Sequence, residues 1–205
     1  MMQAQLVSSL LDEETARAEV YGLLAALYYA APGAGLHDKM RLAVTEAPAA
    51  GAVLEASWGE LVAAARAYTL ADISLEFDTL FGGVGKPEVY LFGSHYLSGF
   101  LNEKPLAALR ADIAALGLAR DDAMPETEDH VAYLCEVMRY LIAGDDVEVA
   151  NLTRQREFFA QHVQPWFSPM CEAIVQHPKA GFYRALAAFT QAFISVEAQG
   201  FDMLT

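Results

Sequence analysis

Basic residues are scarce in this chain: 13 Lys and Arg stand against 27 Asp and Glu, a net charge of −14 with a pI near 4.6. A surface of that sign repels phosphate backbones and anionic headgroups, which argues against nucleic acid and membrane surfaces as partners. It would attract a basic ligand, and it also serves solubility. Cysteine is nearly absent. Cys135 and Cys171 lie far apart, without CxxC pairing, each inside apolar helix-like sequence. Buried free thiols are expected rather than a disulfide framework. β-branched residues are sparse beside Ala and Leu, which weighs against sheet. No stretch approaches the ~20 apolar residues of a membrane span. Met1 to Leu11 has neither the basic start nor the apolar run of a signal peptide. A cytoplasmic location is the expectation.

What is present is apolar bulk. Over 205 residues, 55% are hydrophobic and 20% charged, enough for one sizeable core and too much burial for disorder. The expected architecture is all-α: one helical domain over residues 1–205 with a hinge at about 82–105. Apolar spacing predicts a helix from Asp12 to Ala30, capped by Asp12 and facing inward with Ala16, Val20, Leu23, Leu24 and Leu27. Further helices are predicted at Leu36 to Ala47, Val53 to Ala71 and Pro105 to Leu116, with a loop at Pro48 to Gly51. Others follow from Pro125 to Gly144, Glu148 to Val163, Trp166 to Gln176 and Gly181 to Gln199.

The stretch from Leu80 to Pro105 differs in character. It carries Gly82, Gly83, Gly85, Gly93 and Gly99 among the aromatics Phe81, Tyr90, Phe92, Tyr96 and Phe100. Loops this rich in glycine and aromatics are seldom mere connectors.

Enzyme signatures fail. Gly82-Gly83-Val84-Gly85-Lys86-Pro87 has Leu80 where a phosphate loop needs glycine and Pro87 where it needs Ser or Thr. His37, His95, His130, His162 and His177 are scattered without metal-ligand spacing, so structural histidines are expected. The competing reading is a small all-α metal- or nucleotide-binding enzyme built on His130 and His162 with nearby carboxylates such as Glu126 or Asp129. Two constellations remain. Pro125-Glu126-Thr127-Glu128-Asp129-His130 suits a helix start, with acids on the dipole and Glu126 facing His130. A histidine in a first turn is unexplained by that, so Asp129 and His130 also suit a polar pair, one pinning a loop and the other facing a ligand. Phe158 to Trp166 is an aromatic stripe at helical spacing, expected to be core.

In order along the chain, four segments resemble the TorD/DmsD/NarJ family of redox-enzyme maturation chaperones. They are Phe77-Asp78-Thr79-Leu80-Phe81-Gly82-Gly83, Ser94-His95-Tyr96-Leu97, Pro125 to His130, and Phe158 with His162, Val163 and Trp166. In the third, two residues separate Pro125-Glu126 from Asp129, so Asp129-His130 is the part that transfers. The resemblance implies a TorD-like helical bundle without catalytic residues, metal or cofactor. Its implied partner is an apo molybdoenzyme catalytic subunit, bound by its twin-arginine leader, its body or both, and held for cofactor insertion before export. Phe77, Phe81, Tyr96, Asp129 and His130 are the implied peptide-binding residues. A monomer is expected as the main form, with helix exchange through the hinge giving a dimer.

Overall fold

A computed structural model describes residues 2–45, 52–82, 86–101, 104–121 and 124–203, with side chains described from residue 13 onward except at 52. The chain is all-α as expected. The helices are α1 (Met2–Tyr29), α2 (Ala34–Leu42), α3 (Ala52–Ala67), α4 (Leu70–Leu80), α5 (Gly93–Ser98), α6 (Lys104–Ala115) and α7 (Val131–Ala143). After them come α8 (Leu152–Phe158), a π-helical turn (Phe159–Val163), α9 (Gln164–Val175) and α10 (Phe182–Asp202). Among the described residues no helix is long and apolar enough to cross a membrane.

The chain forms two compact units, each assembled from two separate stretches: Met1–Tyr29 with Phe92–Pro165, and Ala30–Leu91 with Trp166–Thr205. In the first unit α1 packs along α7. Tyr21, Leu24, Leu27 and Tyr28 are fully buried on α1, and Val131, Leu134, Cys135, Met138 and Leu141 on α7. Gly22 lies at the contact of the two helices, where a Cβ would stand 3.1 Å from Arg139 Cδ. Gln155 of α8 donates Nε2 to the Leu141 carbonyl at 3.0 Å, serving one of the carbonyls that the end of α7 leaves over. In the second unit α3 packs on α10, with the Trp58 and Phe189 rings 5.5 Å apart. His37 Nε2 meets the Ala65 carbonyl at 2.9 Å and ties α2 to α3. Both cysteines are free and buried, as their apolar setting indicated.

Several boundaries differ from the periodicity. Helix α1 begins at Met2, so Asp12 lies inside it rather than at its start, and the buried face is turned toward Tyr21 and Tyr28, leaving Ala16 exposed. The single helix expected from Val53 to Ala71 is two. Thr69 starts α4 with a reciprocal capping box, Asp72 N–H to Thr69 Oγ1 at 3.2 Å and Thr69 N–H to Asp72 Oδ2 at 3.0 Å. The helix expected from Glu148 begins at Leu152, capped by the Asn151 side chain, and changes to π pitch at Phe159. The loop expected at 48–51 lies outside the described residues.

The greatest change concerns residues 125–129. They form turns, and α7 starts at Val131, so the acids there do not sit in a first helical turn. Arg110 holds this loop through Glu128 Oε2 at 2.9 Å, and Arg120 donates to the Met124 and Glu126 carbonyls.

Candidate functional site

In the first unit the 125–129 loop carries Asp129 alongside α5. Asp129 is 3% exposed and fully engaged. Its Oδ1 accepts the Thr127 hydroxyl at 2.6 Å, its Oδ2 accepts the Ser94 N–H at 2.9 Å, and its carbonyl accepts the Gly93 N–H at 2.9 Å. Gly93 and Ser94 open α5, whose first amides have no partner within the helix. The carboxylate therefore supplies from another segment the cap that the flanking Phe92 cannot. A one-rung antiparallel bridge between Phe92 and His130 aligns the two segments.

His130 stands next to it, 6% exposed, as the cap of α7. Its Nδ1 accepts the Ala132 N–H at 3.2 Å, and its ring meets Phe92 edge to face at 5.0 Å. Only an unprotonated Nδ1 can accept that bond. Burial pushes the imidazole down to about 4, and the neighbouring Asp129 carboxylate opposes that shift only in part. This accounts for the histidine that a helix start left unexplained: the residue is the cap itself.

Tyr96 lies on α5, half-buried, with its ring 5.0 Å from that of His95. Three of the five sequence-indicated residues, Tyr96, Asp129 and His130, thus belong to one local assembly of the first unit. At the end of α5 and just past it apolar side chains are exposed: Leu97 of α5 at 43%, and Phe100 and Leu101 after it at 71% and 41%.

Phe77 and Phe81 belong to the second unit. One helical turn apart, their rings pack edge on at 5.3 Å, and both meet Tyr183 of α10, at 5.7 and 5.1 Å. Both are half-buried, whereas Tyr183 is fully buried and its hydroxyl is driven to ionise far less readily than in water. Below them Glu76, buried and absent from the residues singled out by sequence, accepts the backbone N–H groups of Gly181, Phe182 and Tyr183 at 2.8, 3.0 and 2.8 Å. No local spacing signals such a cap, because its two halves lie in different helices.

The histidines are engaged structurally. His162 Nε2 faces Asp112 Oδ2 at 2.8 Å, joining the π turn to α6, and His177 Nε2 faces Glu88 Oε2 at 2.8 Å. Among the described residues no group of three or more His, Cys, Asp or Glu is placed to hold a metal ion. Phe158, Phe159, Val163 and Trp166 are all buried, which makes that stripe core.

Comparison with known proteins places these features. Three proteins named "Chaperone protein TorD" are similar to this chain. That of Vibrio cholerae serotype O1 (strain ATCC 39315 / El Tor Inaba N16961) is 27% identical over 140 residues, 65% of this chain and 64% of the relative. That of Aliivibrio fischeri (strain ATCC 700601 / ES114) is 25% identical over 136 residues, 62% of this chain and 63% of the relative. That of Vibrio parahaemolyticus serotype O3:K6 (strain RIMD 2210633) is 24% identical over 135 residues, with the same two shares of 62% and 63%. The chain spans a little under two thirds of the length of the curated relatives it matches. Residues 47–172, which include all five indicated positions, match the family model described as nitrate reductase delta subunit. With a match over more than half its length, the chain belongs to the nitrate reductase delta subunit family, in keeping with the TorD/DmsD/NarJ resemblance of its motifs.

Proposed function

We propose that this protein is a non-enzymatic cytoplasmic chaperone that binds the twin-arginine leader of a molybdoenzyme catalytic subunit and holds the apo subunit for cofactor insertion. The observation that carries the reading is the similarity to proteins named as TorD chaperones, together with a family-model match over residues 47–172, which contain all four of the segments that resemble the family. The physical properties suit the task. A twin-arginine leader has a basic stretch followed by a moderately apolar one. A body of net charge −14 draws the first, and exposed apolar side chains take the second. Burying roughly 500 Å² of apolar area at ~25 cal/mol/Å² is worth on the order of 12 kcal/mol gross. Ordering the peptide removes much of that, which leaves about micromolar affinity. Reversible binding of that strength suits a protein that hands its client on.

Within the first unit the reading assigns Tyr96 to peptide contact and gives Asp129 and His130, both buried, the task of holding α5 and the start of α7. Phe77 and Phe81 are assigned to client binding through the second unit. Titration calorimetry with a synthetic leader peptide tests this. Tyr96→Ala and Asp129→Ala should each weaken binding about tenfold while circular dichroism stays unchanged. Equal affinity in wild type and both variants removes these residues from the site, and no binding by wild type removes the function.

A further inference from the structure

The short helix α5 ends in a feature that neither the core nor the cap below it requires. Gly99, at φ +80, terminates the helix in the left-handed region, and its N–H bonds the His95 carbonyl at 2.9 Å. Ser98 Oγ lies 2.7 Å from the Ser94 carbonyl and 3.1 Å from that of Phe100, so its one hydroxyl proton serves either carbonyl of the turn. Around this turn, within five consecutive residues, Leu97, Phe100 and Leu101 are exposed, with Phe100 the most exposed at 71%. Exposed apolar side chains that join into one patch mark contact surfaces, whereas singly scattered ones do not.

Charge selects the occupant. Over the stretches that make the first unit, Met1–Tyr29 and Phe92–Pro165, there are 16 Asp and Glu against 7 Lys and Arg, a net of −9. A second copy would bring another −9 against these side chains, and anionic lipid would be repelled as well. A peptide with adjacent cationic and apolar stretches is complementary to both properties.

We infer that Leu97, Phe100 and Leu101 are the contact ledge for the apolar stretch of a cationic leader, and that Asp129 is a positioning residue that acts on the ligand through α5. This rests on the leader-binding reading and names the surface it would use. Phe100 was not among the residues singled out by motif. Its exposure could not have been found from sequence, because the same aromatic-rich pattern is equally compatible with a buried turn.

The test uses the full chain and a synthetic peptide of about 25 residues with two consecutive arginines followed by an uncharged Leu/Ala-rich stretch. Phe100→Ser and the pair Leu97→Ser/Leu101→Ser remove exposed side chains, so the fold should keep its melting temperature. Each should raise Kd about tenfold or more. Asp129→Asn should weaken binding less, and its effect should largely vanish in the Phe100→Ser background, where a merely structural defect would add independently. Affinity should fall with salt, and Lys104→Glu, which removes the base nearest along the chain, should tighten binding. Wild-type binding that Phe100→Ser leaves unchanged overturns the ledge but spares the function. Failure of wild type to bind the peptide overturns both. A wild-type dimer that Phe100→Ser converts to monomer assigns the ledge to a second copy and overturns the inference.

Discussion

Glu76 and Tyr183 are joined by a hydrogen bond from the Tyr183 backbone N–H to Glu76 Oε1 at 2.8 Å, and the same carboxylate serves Gly181 and Phe182. One buried side chain of α4 thus satisfies three of the amides that open α10, in a region where water cannot replace it.

Glu76→Ala should therefore cost about 3 kcal/mol, since several buried donors lose their acceptor at once. Glu76→Gln keeps one acceptor oxygen and should cost less than half of that. Urea unfolding should show the midpoint falling in that order with an unchanged slope.

His130 makes stability depend on pH. Burial lowers its pKa from 6.5 to about 4, so between those values the unfolded chain binds a proton that the folded chain refuses. The contribution is whole above about pH 6.5 and is lost as pH falls toward 4, about 2 kcal/mol of it by pH 5. Asn is a good cap and does not titrate. His130→Asn should thus be modestly less stable at pH 7, yet lose about 2 kcal/mol less between pH 7 and pH 5 in denaturant titrations. A profile as steep as wild type would mean that other groups govern the acid limb.

Asp129 can be separated from its own backbone. Its side chain accepts the Ser94 N–H, whereas its carbonyl accepts that of Gly93. In Asp129→Ala the Ser94 amide should exchange with deuterium roughly tenfold faster or more, while Gly93 keeps its protection. Equal acceleration at both amides would indicate that the whole 125–129 loop has come away.

Two glycines should respond in opposite ways to alanine. At Gly22 a Cβ would meet the mobile end of Arg139, whose side chain is 53% exposed and can yield, and the site is inside a helix. Gly22→Ala should stabilise by up to about 1 kcal/mol. At Gly144 a Cβ would stand 2.6 Å from the Tyr140 carbonyl oxygen, part of the α7 backbone. Gly144→Ala should destabilise by about 1–2 kcal/mol, read as a lower melting temperature.

What sequence could convey followed the range of each interaction. The apolar stripe of α7 (Val131, Leu134, Cys135, Met138, Leu141 and Ile142) was legible because helical periodicity acts over a few residues, and all of its members are buried. Local chemistry offered more than periodicity alone extracts: Thr69 with Asp72 spells a capping box, the signal that divides α3 from α4. Asp129 and His130 could be singled out by their motif, and the pinning of a loop by one of them, but not which segment is pinned or that His130 caps α7, since the first depends on where Phe92 to Ser94 arrive in space. The π turn was hidden because one added residue shifts the phase of an apolar pattern that is buried on both sides of it. Glu76 was silent, its partners lying 105 to 107 positions away.

The interleaving of the two units bears on how the chain is made. Helix α1 leaves the ribosome well before α7, against which it packs, because the whole stretch from Ala30 to Leu91 comes between them. At ~5–20 residues per second, the greasy side of α1 waits several seconds for cover. A newborn molecule therefore passes through an interval in which it needs the kind of shelter it is proposed to give to others.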